Sequence, residues 1–185
     1  MEKHNVAHTR CGKLIVACDA HEVATLEDIV ERGAANGVED LAMLDQGQAT
    51  ALEPELACVA AILSPSTGMM DSAGIMLALL GEAENAGATL AARSPVVSGR
   101  VGGRQIEIDI GGAEPMTVGC GVFVNSTSLN APDVASKLEG LDSVHVPDAY
   151  FGKGNYFSMA GKAPFKRLIY PCPVVGGLGV HLTID

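Results

Sequence analysis

The sequence predicts a mixed protein of the α/β or α+β kind, and three observations carry that expectation. A short apolar run at 13–17 is followed by residues with helical spacing up to position 37. A second helical stripe occupies 72–86. After it the period shortens to two: Ile106, Ile108 and Ile110 alternate with Gln105, Glu107 and Asp109, as in a sheet with one wet face. Helices interleaved with antiparallel hairpins are unlike a regular βαβ array.

Taken in order, Lys13-Leu14-Ile15-Val16-Ala17 reads as a buried strand entered from the turn-like Cys11-Gly12. From Glu22 onward, Val23, Leu26, Ile29 and Val30 share one helical face and Glu27, Asp28, Glu31 and Arg32 the other, with Asn36-Gly37 as the stop. Asp45 and Gln48 stand at capping-box spacing, so a shorter helix is expected to start there and to end before Pro54. Residues 58–63 read as a strand closed by Ser64-Pro65-Ser66-Thr67-Gly68. Asp71-Ser72 caps a helix whose stripe is Ile75, Met76, Leu79, Leu80 and Ala83, with Met76 as core filler.

Strands are then expected at 89–93, 96–101, 105–110 and 121–125, with hairpin turns at Gly102-Gly103 and Gly111-Gly112. Pro132 opens a helix carrying Val134, Ala135 and Leu138. Two strand-like stretches, 149–159 and 167–183, finish the chain, the second interrupted by Pro171, Pro173 and Gly176-Gly177. The last residues, Leu182-Thr183-Ile184-Asp185, fall inside or just after a strand and leave its edge uncovered, so a cut chain is expected.

Composition narrows the function classes. With 185 residues, 48% of them hydrophobic, there is material for one domain or two small ones sharing a core. A formal charge of -10 and the lack of any lysine–arginine cluster argue against a nucleic-acid partner. The N-terminus has no apolar run behind a basic patch, and no stretch reaches the roughly 18–20 apolar residues of a membrane span. Five dispersed cysteines without ligand spacing suggest reduced thiols, no metal site, and a cytoplasmic location.

The familiar catalytic and nucleotide-binding motifs, G-x-G-x-x-G after a strand among them, are absent. Lys13, at the head of an apolar strand, reads either as a snorkelling strand end or as a cation held for an anionic ligand. His181, in Gly179-Val180-His181-Leu182-Thr183, reads either as a satisfied histidine or as a base working near neutral pH. Lys153, Asn155 and Tyr156, flanked by glycines, offer donors for a carboxylate, although a plain alternating strand explains the same letters.

Several blocks, in order, resemble one family. They are Cys11-Gly12-Lys13-Leu14-Ile15-Val16-Ala17, Ala51-Leu52-Glu53-Pro54-Glu55-Leu56, Leu63-Ser64-Pro65-Ser66-Thr67-Gly68, Val122-Phe123-Val124-Asn125, Lys153-Gly154-Asn155-Tyr156-Phe157, Leu168-Ile169-Tyr170-Pro171-Cys172-Pro173 and Leu178-Gly179-Val180-His181-Leu182-Thr183. Together they resemble FAD-dependent oxidoreductases of the L-2-hydroxyglutarate oxidase/dehydrogenase type, in the D-amino-acid-oxidase superfamily. The resemblance implies a central fragment without the N-terminal glycine fingerprint: substrate-domain part at 1–70, partial FAD-binding domain at 71–135, and substrate-domain strands at 136–185. The implied fold is a mixed sheet of the substrate domain plus the middle of an FAD-binding domain.

By the same resemblance, Val96 matches the position whose backbone faces the adenine. Asn125 and the turn Ser126-Thr127-Ser128 match the family's Asn-Ala-Ala-Gly beside the FAD pyrophosphate. Lys13 and Tyr156, with Lys153 near, match the substrate side and imply carboxylate binding, and His181 is the implied acceptor of the hydroxyl proton. Two departures stand out: Ser126-Thr127-Ser128 replaces Ala-Ala-Gly, and Ala73 stands where close relatives often have histidine.

Three readings follow. The first is an FAD-dependent oxidoreductase acting on a small 2-hydroxy acid, in truncated form. The second is a non-catalytic remnant, or an oligomeric binding protein that has lost FAD. The third is a subunit complemented by a separate FAD-domain chain. The expected partners are a small carboxylate substrate and either a second copy of the chain or that complementing chain. On physical grounds the chain alone is expected to hold FAD poorly, because most pyrophosphate contacts come from the fingerprint.

Overall fold

A computed structural model describes residues 2–103, 105–173, 176–177 and 179–184. Val174, Val175 and Leu178, within the expected strand stretch 167–183, lie outside the described residues. In chain order the elements are β1 (His8–Thr9), β2 (Lys13–Ala17), α1 (Val23–Ala35), β3 (Ala42–Asp45), α2 (Gln46–Leu52), β4 (Ala60–Ser64), β5 (Met69–Met70) and α3 (Ser72–Asn85). They continue with β6 (Val96–Gly102), β7 (Gln105–Ile110), β8 (Met116–Cys120), α4 (Ala131–Ser136), β9 (Leu138–Glu139) and β10 (Leu168–Pro171). The chain divides into two units, Met1–Ala86 with Ser158–Asp185, and Gly87–Phe157. These units are defined by contact, whereas the segments 1–70, 71–135 and 136–185 expected from the sequence describe parentage.

The first unit is built on a mixed sheet of order β10-β2-β4-β3, in which β10 runs parallel to β2 and the other pairs are antiparallel. Both faces are covered, which is why β2 and β4 read as unbroken apolar runs. Leu14, Val16, Ala61 and Ile169 pack on one side with Ala49 of α2, Leu56 and Cys58. On the other side Ala17, Ala60, Ile62 and Cys172 pack with Leu26 of α1, which is fully buried.

Local chemistry sets the helix ends. Asp45 accepts from the Gln48 backbone N–H at 2.8 Å while the Gln48 side chain accepts from the Asp45 N–H at 2.9 Å, completing the expected capping box of α2. Asp71 accepts from the Gly74 N–H at 3.0 Å and starts α3. No residue of α3 is buried, and its Met76 and Leu77 are 64% and 70% exposed. Of the expected core stripe on this helix, Ile75 and Leu80 are only half-buried and Met76 and Leu79 are exposed.

The return of the chain to this sheet depends on Glu53, only 1% exposed. Its carboxylate accepts from the Lys166 backbone N–H at 3.1 and 3.3 Å and from Arg167 Nη1 at 3.0 Å. Arg167 also donates to the Leu52 carbonyl at 3.2 Å. No buried side-chain nitrogen or oxygen among the described residues lacks a partner, so the buried charge is hydrogen-bonded as well as paired.

The second unit is a sheet of order β8-β7-β6-β9, an antiparallel meander of β6, β7 and β8 with β9 added parallel to β6. Gly103 and Gly112, with φ of +63° and +104°, make the turns that the glycine pairs predicted. Across the three meander strands Asp109 accepts from Ser98 Oγ and Thr117 Oγ1, both at 2.7 Å. The Ser98 and then the Thr117 hydroxyl hold this carboxyl below its usual range. Beyond the meander, Ser128 adopts φ of +53°, a left-handed conformation that an L side chain resists. It follows the Asn125 turn, in which Asn125 Nδ2 donates to the Ala131 carbonyl at 2.8 Å and Asn125 Oδ1 accepts from Thr127 Oγ1 at 2.7 Å.

Four expected strands are corrected. Residues 89–93 and 121–125 are irregular, because the meander takes its third strand from Met116–Cys120 instead. Residues 149–159 form no strand: there is no ladder partner, and Tyr156 and Phe157 are each 96% exposed. In 167–183 the regular strand stops at Pro171. Proline lacks the N–H a ladder needs, and beyond it the pairing is reduced to isolated bridges, such as the antiparallel one between Ile169 and Leu182. The strands His8–Thr9, Ala42–Asp45, Met69–Met70 and Met116–Cys120 have no counterpart in the sequence expectations. Leu138, expected on the helix opened by Pro132, instead begins β9, because that helix ends at Ser136 and Leu138 pairs with Gly99.

Two stability outcomes are expected. Glu53→Ala should lower unfolding free energy by about 3–5 kcal/mol in urea denaturation, since Arg167 and the Lys166 N–H lose their acceptor. Ser128→Gly should raise it by roughly 0.5–1 kcal/mol, because glycine relieves the left-handed strain at some cost in unfolded-state entropy. An unchanged or lower midpoint for Ser128→Gly would contradict the strain.

Candidate functional site

Within the first unit, strand order brings together residues from the two ends of the sequence. Lys13 opens β2 and lies opposite Leu168 in the parallel ladder, which places it on the same face as Tyr170, two residues further along β10. The Lys13 ammonium lies 5.0 Å from the centre of the Tyr170 ring, within cation–π range. The 181–183 segment approaches the other edge of β10. Ile169 and Leu182 exchange backbone hydrogen bonds of 3.1 and 2.9 Å, which sets His181 opposite Tyr170. The two rings stack with centroids 4.0 Å apart and planes 9° from parallel.

A half-buried cation and phenol and an exposed imidazole thus share one corner of the sheet. Chemically the corner can attract a small anion through Lys13 and take or give a proton at His181. Tyr170 was quoted in a sequence block but not singled out. The signal that would have found it is the pairing of the block 168–173 with the block 11–17 as neighbouring strands.

Cys172 and Cys58, both buried and free, are pushed up, first by burial; Cys172 is raised further by Glu22, and Cys58 by Cys18. Among the described residues no grouping of three or more His, Cys, Asp or Glu side chains could hold a metal, and no helix is long and apolar enough to cross a membrane.

The remaining expected site residues fall in the second unit. Lys153 and Tyr156 lie in irregular, exposed chain of that unit. Val96 lines a cleft of about 950 Å³ on the meander, with Ile108, Ile110, Val118, Val122 and Val124 among its walls. Arg93, with φ of +57°, Ser94 and the carboxylate of Glu114 are polar groups in its lining. Phe123 and Val124 lead from this wall directly into the Asn125 turn, where Asn125 is half-buried and Ser126, Thr127 and Ser128 are exposed.

This cleft fits the flat, apolar part of a dinucleotide such as FAD: its volume is that of a ligand pocket and its lining is mostly aliphatic. The Asn125 turn fits the phosphate part less well. The Asn125 side chain is spent on Ala131 and Thr127, and Ser128 holds in strain a backbone shape that a glycine would adopt freely.

The family profile described as "FAD dependent oxidoreductase" (DAO) matches residues 1–185. The mitochondrial L-2-hydroxyglutarate dehydrogenase of Arabidopsis thaliana is 34% identical over 213 residues, covering 99% of this chain and 44% of the relative. The Homo sapiens mitochondrial enzyme of the same name is 29% identical over 199 residues, covering 98% and 42%. The chain therefore spans less than half the length of these curated relatives. Their mitochondrial names do not fit the cytoplasmic location expected from the cysteines.

Among solved structures, L-alpha-glycerophosphate oxidase from Mycoplasma pneumoniae with FAD bound superposes with a TM-score of 0.71 at 19% identity, covering 96% of this chain and 47% of that one. L-proline dehydrogenase from P. horikoshii gives 0.64 at 21% identity, covering 74% and 36%. At such identities these likenesses speak for the fold alone, an α/β arrangement with a partial FAD-binding domain. From the match over its whole length and the Arabidopsis relative, the chain belongs to the DAO family of FAD-dependent oxidoreductases, whose cofactor is FAD.

Proposed function

We propose that this chain carries the substrate-side sheet and part of the cofactor cleft of an oxidoreductase that oxidises a small 2-hydroxy acid of the L-2-hydroxyglutarate kind. The observation that carries the reading is that Lys13 and His181, from opposite edges of β10, both lie against the Tyr170 ring, because a 2-hydroxy acid needs a cation for its carboxylate and an acceptor for its hydroxyl proton. The names of the Arabidopsis and human relatives favour the same substrate class.

Lys13 holds the carboxylate by charge-assisted hydrogen bonds. His181 takes the hydroxyl proton as the C2 hydrogen leaves with its electron pair, so that the alcohol becomes a 2-oxo acid. FAD, when bound, supplies the hydride acceptor. On the cofactor side, the Val96 cleft would hold the flat ring and Asn125, Ser126, Thr127 and Ser128 would flank the phosphates. Lys153 and Tyr156 are proposed as further carboxylate donors from the exposed 149–159 stretch.

A second reading has its own observation. The strained Ser128 and the added hydroxyls of Ser126 and Thr127 favour a chain that binds carboxylates but no longer retains FAD, acting as a self-associated or complemented subunit. The unburied apolar residues of α3 favour such a partner. The reducing location that the free cysteines suggest suits either reading.

Absorbance near about 450 nm decides between them. The purified chain, saturated with FAD under anaerobic conditions, should bleach on addition of L-2-hydroxyglutarate. Lys13→Ala should raise the half-saturating substrate concentration about 10–100-fold, and His181→Ala should slow bleaching about 10²-fold at saturation. Normal bleaching by His181→Ala would remove the proton-acceptor role. A chain that retains no flavin yet still binds the hydroxy acid would establish the second reading.

A further inference from the structure

Tyr170 has a role that neither the family match nor the proposed chemistry assigns. Its place is fixed by backbone pairing on both sides of β10. On one side the parallel register sets Tyr170 opposite Ile15 and Leu168 opposite Lys13. On the other, the two hydrogen bonds between Ile169 and Leu182 make these a hydrogen-bonded pair. Their neighbours Tyr170 and His181 thereby fall at a non-hydrogen-bonded pair, where facing side chains come closest. The near-parallel stack at 4.0 Å follows from that register.

An imidazole on an exposed strand end turns freely about its χ2 angle, which has a broad well. A coplanar ring at van der Waals distance removes that freedom. The same ring offers its π face to the Lys13 ammonium at 5.0 Å and restrains a side chain with four rotatable bonds. One aromatic side chain thus touches both groups that a 2-hydroxy acid would meet.

We infer that Tyr170 is the positioning residue of this site: its ring sets the plane of His181 and the reach of Lys13, so that a small 2-hydroxycarboxylate meets both already oriented. The inference rests on the proposed roles of Lys13 and His181. The ring, and not the hydroxyl, does the work, so phenylalanine substitutes for it and an aliphatic residue does not.

The test is proton NMR of the full chain, with L-2-hydroxyglutarate as the titrated probe. In the wild type the His181 ring protons should be displaced upfield by the Tyr170 ring current and show direct cross-relaxation with it. Tyr170→Phe should keep that displacement and the probe affinity. Tyr170→Leu should return the His181 protons to their unstacked position and weaken the probe about 3–10-fold, with the folded spectrum elsewhere unchanged. The wild-type cross-relaxation serves as the decisive measurement if Tyr170→Leu does not fold.

The inference is overturned if the wild-type His181 protons show no displacement and no contact with Tyr170. It is also overturned if Tyr170→Leu binds the probe as tightly as the wild type. If the stack is present and ring-dependent but the probe moves neither Lys13 nor His181, the positioning stands and the substrate class proposed above fails.

Discussion

The whole arrangement hangs on a carboxylate that water does not reach. Glu53, at the end of α2, has its oxygens engaged by the Lys166 N–H and Arg167, more than a hundred residues along the chain. A charge with so little exposure is tolerated only when nearly all its acceptor sites are occupied. That requirement selects one docking position for the 166–167 corner, and β10 begins at the very next residue. From there the parallel register with β2 follows, and with it the delivery of Tyr170 and His181 to Lys13. A polar interaction inside the apolar sheet thus settles a geometry that apolar packing alone leaves adjustable by one strand register.

What could be read from the sequence was what local chemistry decides. The capping box at Asp45 and Gln48, the Asp71 cap, the stop at Asn36-Gly37 and the alternation at Ile106, Ile108 and Ile110 each involve residues within a few positions of one another, and each appears where expected. The errors lie where a strand needs a distant partner. Residues 149–159 carry strand-forming aromatics but have no ladder to join, while Met116–Cys120, with a glycine and a threonine, becomes a strand because β7 lies ready beside it. Strand propensity describes fit to a half-buried pleated surface and cannot create the neighbour.

The site was legible in the same uneven way. Lys13 and His181 were identifiable as unusual residues in apolar surroundings, and family resemblance gave them roles, but nothing local joined them. The residue that does, Tyr170, looks like any strand aromatic until β10 is laid beside β2. Ser128 is visible in the sequence as a departure from the family's expected glycine, yet only the backbone angle shows that this serine sits in a left-handed conformation that its side chain resists.

The parallel pairing of β10 with β2 also has a consequence in time. Some 150 residues separate Ala17 from Leu168, and at roughly 5–20 residues per second a ribosome needs on the order of 10–30 s to bridge them. Throughout that interval β2 and β4 can pair, but the far edge of β2, carrying Leu14 and Val16, stays open to any other strand. The nascent chain therefore depends on slow encounters or on chaperone shielding until Leu168–Pro171 emerges and covers that edge.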